Sequence, residues 1–208
     1  GITPVLSEEA KELTFAALKK AREHHVKISF DLNYRSKLWT SGVEEKQKML
    51  SEMMEYVDIC FGNARDAAKC LGYFEDGVDF IDGDYSICVD EEHMRNVLNH
   101  YHFSHLITTL RNSISASDNG WSGAVCTPDD YYKGRDYMLH IVDRVGGGDS
   151  FASGFLHGIL SDMGSRKSLE FGLASAAIKH TIPGDLNYIN ESEVLAMIES
   201  DGAGRVQR

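Results

Sequence analysis

The chain has 208 residues, 42% of them hydrophobic and 25% charged, with a formal net charge of -11. That is the composition of a globular protein long enough to bury a proper core, as one large domain or two small ones. The acidity argues against a nucleic-acid or anionic-membrane surface, and no apolar run approaches a membrane span. An anionic ligand would therefore need its own arginines and backbone donors. The four cysteines, at 60, 70, 88 and 126, lack C-x-x-C spacing and read as reduced, buried thiols of a cytoplasmic protein. The chain opens on Gly1 without a basic-then-apolar leader, and is read as a piece whose upstream part is absent.

In chain order, "SEEAKELTFAALKKAREHH" predicts a helix with Ser7 as its N-cap and Ala10, Leu13, Ala17, Leu18 and Ala21 on one face. "VKISFDLN" predicts a short buried strand carrying Asp31 and Asn33 at its C-terminal end. A helix near 43–55, a strand "YVDICF", helices near 64–71 and 90–101 and a strand "HLITTL" follow. This alternation predicts an α/β protein with a largely parallel sheet. After Leu110 the turn-rich stretch to Leu139 predicts hairpins. Helices are predicted over 149–161, 166–180 and 191–200, the last with Asn190 and Glu193 as a capping pair. With no repeat, low-complexity tract or linker, residues 1–208 read as one domain.

"DRVGGGDSFASGFLHGI" carries the chemistry. Consecutive glycines before a helix let backbone N–H groups converge, and the helix dipole adds to their attraction for anions. Asp149, in the first turn, could take the proton of a hydroxyl attacking a phosphorus bound there. An ordinary N-cap role for Asp149 explains the same residues, so on the spacing alone both readings stand. The three histidines of "HYHFSH" span a helix end and a strand start without a backing carboxylate pair, and read as a turn. The chain has no G-x-x-x-x-G-K-[ST] and no G-x-G-x-x-G opening a βαβ unit, which excludes a P-loop kinase and gives no support to a dinucleotide dehydrogenase.

"DRVGGGDSFASG" resembles the second signature of the PfkB/ribokinase sugar kinases, D-x-x-G-A-G-D-x-F, with Gly147 where alanine is usual. "FDLNYRSKLW" resembles the D-x-N-x-R-x-x-L-W segment of 2-keto-3-deoxygluconate kinases in that family. The resemblance implies a ribokinase-like α/β fold, a Rossmann-type mostly parallel sheet flanked by helices, with the N-terminal part and its lid missing. It implies ATP and Mg²⁺ as cofactors, and Gly146, Gly147 and Gly148 as an anion hole beside the base Asp149. Arg35 would reach the sugar-acid carboxylate or the ATP phosphates with Asn33 beside it, Leu38 and Trp39 serving as core anchors. Asn63 and Asp66 stand where the family has an N-x-x-E motif tied to magnesium, with aspartate one methylene shorter. Arg111, Ser113 and Ser115 fall in the loop over the nucleotide, where Arg111 departs from the commoner glycine. Ala176 would let the adenine lie flat, with His180 at the pocket rim, although close helix packing explains the alanine equally.

The implied activity is phosphorylation of 2-keto-3-deoxygluconate to its 6-phosphate. The alternatives are a fructokinase- or ribokinase-like enzyme, or a catalytically silent nucleotide-binding module. The expected partners are a sugar acid and ATP, with neither nucleic acid nor membrane; a homo-oligomer is compatible. The missing N-terminal portion is expected to be needed for useful turnover.

Overall fold

The computed structural model describes residues 1–73, 90–115 and 117–200; Cys88 lies outside them. The chain divides into two compact units, Gly1–Thr108 with Cys126–Tyr131, and Thr109–Val125 with Tyr132–Arg208. The division crosses the chain three times, after Thr108, Val125 and Tyr131, each time within a strand, which is why no linker composition marks it.

In the first unit, β1 (Ser29–Asp31), β2 (Ile59–Phe61) and the start of β3 (His105–Ser113) run parallel, with Ser29 opposite Ile59 and Ile59 opposite His105. Every residue of β2 is buried, as a strand flanked by two others requires. β1 is shorter than predicted. Val26 is exposed, and Asn33 ends the extended run at φ +39° with its N–H donating to Asp31 Oδ1 at 3.0 Å. Ser7 caps α1 (Glu8–Glu23) as expected, accepting from the Ala10 N–H. In α2 (Val43–Met54) the buried residues Met49, Leu50, Met53 and Met54 form one stripe. α3 (Ala64–Leu71) and α4 (Glu91–Tyr101) are the remaining α-helices of the unit among the described residues, and His102 closes α4 in the left-handed region.

In the second unit, β4 (Asp118–Cys126) pairs antiparallel with β6 (Tyr137–His140), Trp121 lying opposite Tyr137. With β5 (Tyr131–Lys133) the strand order is β1-β2-β3-β4-β5, β6 joining β4. The predicted hairpins and the three closing helices are present: α5 (Gly147–Leu160), α6 (Ser165–Lys179) and α7 (Glu191–Glu199). Asn190 and Glu193 form the predicted reciprocal cap of α7. α5 and α6 pack through small residues; a Cβ on Gly154 would fall 2.8 Å from Ser175 Oγ. Phe151, Phe155, Leu169 and Leu173 are buried in these two helices. Among the described residues no helix is long and apolar enough to cross a membrane.

Candidate active site

α5 begins two residues earlier than predicted, on Gly147. Gly146 is its N-cap, in the left-handed conformation at φ +76° that glycine alone adopts freely. Asp149 is therefore not the cap; it occupies the third helical position, exposed. The Ser150 N–H bonds the Gly146 carbonyl at 2.9 Å and the Gly147 N–H reaches Arg144 O at 3.4 Å. The Gly148 and Asp149 N–H groups have no acceptor among the described residues, as a helix start dictates. Around Gly148 no atom lies within 4 Å of where a Cβ would sit, and both Gly148 and Asp149 are exposed, so this flank of the helix start is open.

The loop after α6 forms the seat of this helix start. A Cβ on Gly146 would meet Asp185 O at 2.3 Å, and one on Gly147 would meet His180 Cε1 at 2.6 Å. His180 fills the interior and does not stand at the expected pocket rim. Its residue is fully buried, its ring lies 5.1 Å from Trp121, and Nδ1 donates to Ala176 O at 2.6 Å. With Nδ1 carrying the proton, Nε2 is bare and has no partner among the described residues. Burial is the main cause lowering the His180 pKa, with Arg111, Lys179 and Arg144 adding to it. Ala176 is also fully buried, which is the close-packing reading and leaves it out of reach of a base in this conformation.

Arg111 stands over the Trp121 ring at 5.9 Å, and partial burial followed by the neighbouring Arg144 lowers its pKa. Ser113 lies in β3. Ser115 is committed to the hairpin: its hydroxyl donates to Asp118 Oδ2 at 2.8 Å and accepts the Ser117 and Asp118 N–H groups. That set leaves it no donor for a phosphate. Sequence reasoning missed Arg144, whose guanidinium reaches Asn119 Oδ1 at 3.4 Å, and the buried donors Asn119 Nδ2 and Trp121 Nε1. The alternation of β4 could have shown Asn119 and Trp121 facing inward. Along α5 a cleft of about 390 Å³, the size of a small-molecule site, is lined by Asp149, Ser153, His157, Asn187 and Glu191 among others.

In the first unit, Asn33 and Arg35 lie after β1, and Asn63 and Asp66 lie at the start of α3 just after β2, at the carboxyl ends of parallel strands where α/β folds bind ligands. Arg35 is exposed, and its guanidinium has no partner among the described residues. Trp39 is buried against Tyr34 at 5.5 Å, while Leu38 is only partly buried. Asn63 and Asp66 hold each other in a capping box: the Asp66 N–H donates to Asn63 Oδ1 at 2.9 Å and the Asn63 N–H to Asp66 Oδ2 at 3.2 Å. Desolvation pushes the Asp66 carboxyl up to about 6, the nearby Asp31 adding and the Asn63 N–H opposing.

A carboxyl with a raised folded pKa binds its proton more tightly when folded. Stability is then highest below the unfolded value of 3.8 and falls as pH rises through about 6. Asp66→Asn, which keeps an acceptor oxygen for the Asn63 N–H, is expected to be about 1–3 kcal/mol more stable than the parent at pH 7. The gain should fade toward about pH 4 in urea unfolding. Equal stability at pH 7 would show that the charge is compensated in place.

Cys60, Cys70 and Cys126 are free and buried; burial lifts Cys60 well above the ordinary thiol range and Cys70 to about 12, which removes both as nucleophiles. Among the described residues no three His, Cys, Asp or Glu side chains are grouped to hold a metal ion. The donor set instead suits a polyanion: two free amides at a helix start, with a carboxylate beside them that can accept a proton.

Residues 1–191 match the family described as pfkB family carbohydrate kinase. The crystal structure of 2-dehydro-3-deoxygluconokinase from Thermotoga maritima is similar, with a TM-score of 0.84 and 39% identity over 95% of this chain and 57% of that one. The curated 2-dehydro-3-deoxygalactonokinase of Haloferax volcanii is 29% identical over 204 residues, 98% of this chain and 57% of the relative. The 5-dehydro-2-deoxygluconokinase of Bacillus licheniformis is 26% identical over 201 residues, 95% of this chain and 55% of the relative. The chain thus spans little more than half the length of the relatives it matches.

Proposed function

Because the chain belongs to the pfkB family of carbohydrate kinases and has the ribokinase-like fold, a mixed, mostly parallel sheet flanked by helices, we propose that it carries the phosphate-binding and base-bearing part of an ATP-dependent sugar-acid kinase. The proposed reaction converts 2-keto-3-deoxygluconate to its 6-phosphate in the cytoplasm. The observation that carries this reading is the start of α5, where the Gly148 and Asp149 N–H groups, without an acceptor among the described residues, belong to exposed residues beside the Asp149 carboxylate.

In this reading the two amides donate to oxygens of the transferring phosphoryl group, whose charge they stabilise without side-chain rearrangement. The sugar's terminal hydroxyl attacks phosphorus, its proton passes to Asp149, and the bond to the leaving diphosphate breaks. The transition state is loose, so the weak basicity of a carboxylate at a helix start suffices and positioning dominates. Magnesium supplies charge neutralisation on the phosphates when bound. With Asn63 and Asp66 engaged with each other, those residues would touch it only through water.

Arg35 supports an acidic substrate. Its unpartnered fork at the end of β1 suits a carboxylate, and the similar proteins are named for deoxy keto sugar acids. A coupled ADP-release assay comparing 2-keto-3-deoxygluconate, 2-keto-3-deoxygalactonate, fructose and ribose tests the reading. The sugar acids are expected to be preferred, and Arg35→Ala should raise KM for them by about tenfold or more while sparing fructose. A preference for neutral sugars would overturn the assignment. ATP binding without transfer to any sugar would favour the silent module.

A further inference from the structure

Lys179 is the one Lys, Arg, Asp or Glu among the described residues that is buried, and none of its surface is exposed. It lies in the last turn of α6, and its Nζ donates to Ile182 O at 3.0 Å. That is the one hydrogen bond it makes among the described residues, and a buried ammonium with so few partners is costly to retain. Ile182 lies just past the end of α6, where the helix dipole concentrates negative charge.

The carbonyl that Lys179 holds belongs to the loop on which α5 starts. The Val142 and Asp143 N–H groups both donate to His180 O, at 2.8 and 3.2 Å. The Gly184 N–H donates to Asp143 Oδ2 at 2.8 Å, and the Val145 N–H to Asp143 Oδ1 at 2.9 Å. Asp185 O packs on Gly146 and the His180 ring on Gly147. Asp143 and Lys179 are thus the opposite charges of one small assembly. The Val145 and Gly184 N–H groups do most to lower the Asp143 pKa, and Lys179 adds to them. Of these hydrogen bonds between the segments at 142–146 and 180–185, the Asp143 carboxylate supplies the one side-chain acceptor and the rest are backbone to backbone.

We propose that Lys179 is a positioning residue: its buried ammonium holds the 180–185 loop in the shape that seats the start of α5, and so pre-forms the anion site without touching the anion. An ammonium fixed to the chain does for this loop what a captured cation does for a ring of carbonyls. The consequence for phosphoryl transfer rests on the function proposed above; the loop architecture does not.

Amide hydrogen exchange tests it, on the parent, Lys179→Met and Lys179→Ala. The Met variant keeps volume and loses charge, and the Ala variant leaves a space that methylammonium can fill. Exchange at 142–148 and 180–185 is expected to rise by roughly tenfold or more in both variants, as loss of a charge-assisted hydrogen bond predicts. Amides in the middle of α5 and α6 should keep their parent rates. Methylammonium chloride should restore the Ala variant toward the parent and not the Met variant, and tetramethylammonium, which has no N–H, should restore neither. A Met variant that exchanges like the parent, uniform acceleration everywhere, or an Ala variant that methylammonium does not rescue (including one that stays unfolded in it) would each overturn the proposal. A parallel titration with inorganic tripolyphosphate separates the two readings, because failure of the parent to bind it counts against the kinase site and leaves the exchange result standing.

Discussion

Asp149→Asn is expected to lower turnover on the accepted sugar acid by about 10²–10⁴-fold, the range for loss of a positioned general base. ATP affinity should hold or tighten, since the variant removes a negative charge from beside the two free amides of α5. The fold should tolerate the change. Asp149 is exposed and is not the cap, so asparagine loses only a favourable charge on the helix dipole, about 0.3–1 kcal/mol. Single-turnover kinetics with a calorimetric ATP titration separate chemistry from binding. Near-normal turnover would remove Asp149 as the base and leave the glycines as a binding site alone.

The second large effect is expected at Gly147, where an added methyl meets the His180 ring at 2.6 Å. The ring cannot withdraw, because Nδ1 is bonded to Ala176 O at 2.6 Å and Trp121 stands 5.1 Å away. Gly147→Ala should therefore cost about 1–3 kcal/mol, the usual penalty of overpacking a close-packed interior. Replacing His180 with serine opens the space, so the double variant should recover at least about 1 kcal/mol relative to the sum of the single changes. Denaturant unfolding of the four proteins measures the coupling. Strict additivity, or a neutral Gly147→Ala, would show that the contact is soft. The departure from the usual G-A-G-D run therefore has a packing side: here glycine answers to the histidine across from it.

What was legible in the sequence was what short-range chemistry decides. Ser7 and the Asn190–Glu193 pair cap helices because their side chains reach amides three residues on, and "GGGD" opens a helix because glycine readily takes the left-handed turn that precedes it. β1, β2 and β3 were found by their apolar residues, yet the length and burial of β1 were not: Ser29 and Asp31 are exposed, and past its end the Asp31 carboxylate turns the chain by accepting the Asn33 N–H. His180 was misplaced for a different reason. Whether a histidine lines a rim or fills a core depends on Trp121 and Gly147, which are 59 and 33 positions away in the chain. Ser115 resembled a phosphate ligand until Asp118 and its own turn took all its hydrogen bonds. Lys179 gave no signal, since a lysine in the last turn of a helix reads as its wet face.

Three letters that are identical in the sequence do three unrelated jobs at residues 146–148. Gly146 supplies handedness, Gly147 clearance, and Gly148 an unobstructed view of solvent. Selection on them is therefore separable. The first two answer to folding, and drift there is blocked whatever the protein's substrate becomes. The third has room for a side chain, so in the proposed reading its retention is set by the ligand, and it is the position through which a lineage leaving phosphate chemistry would first show its departure.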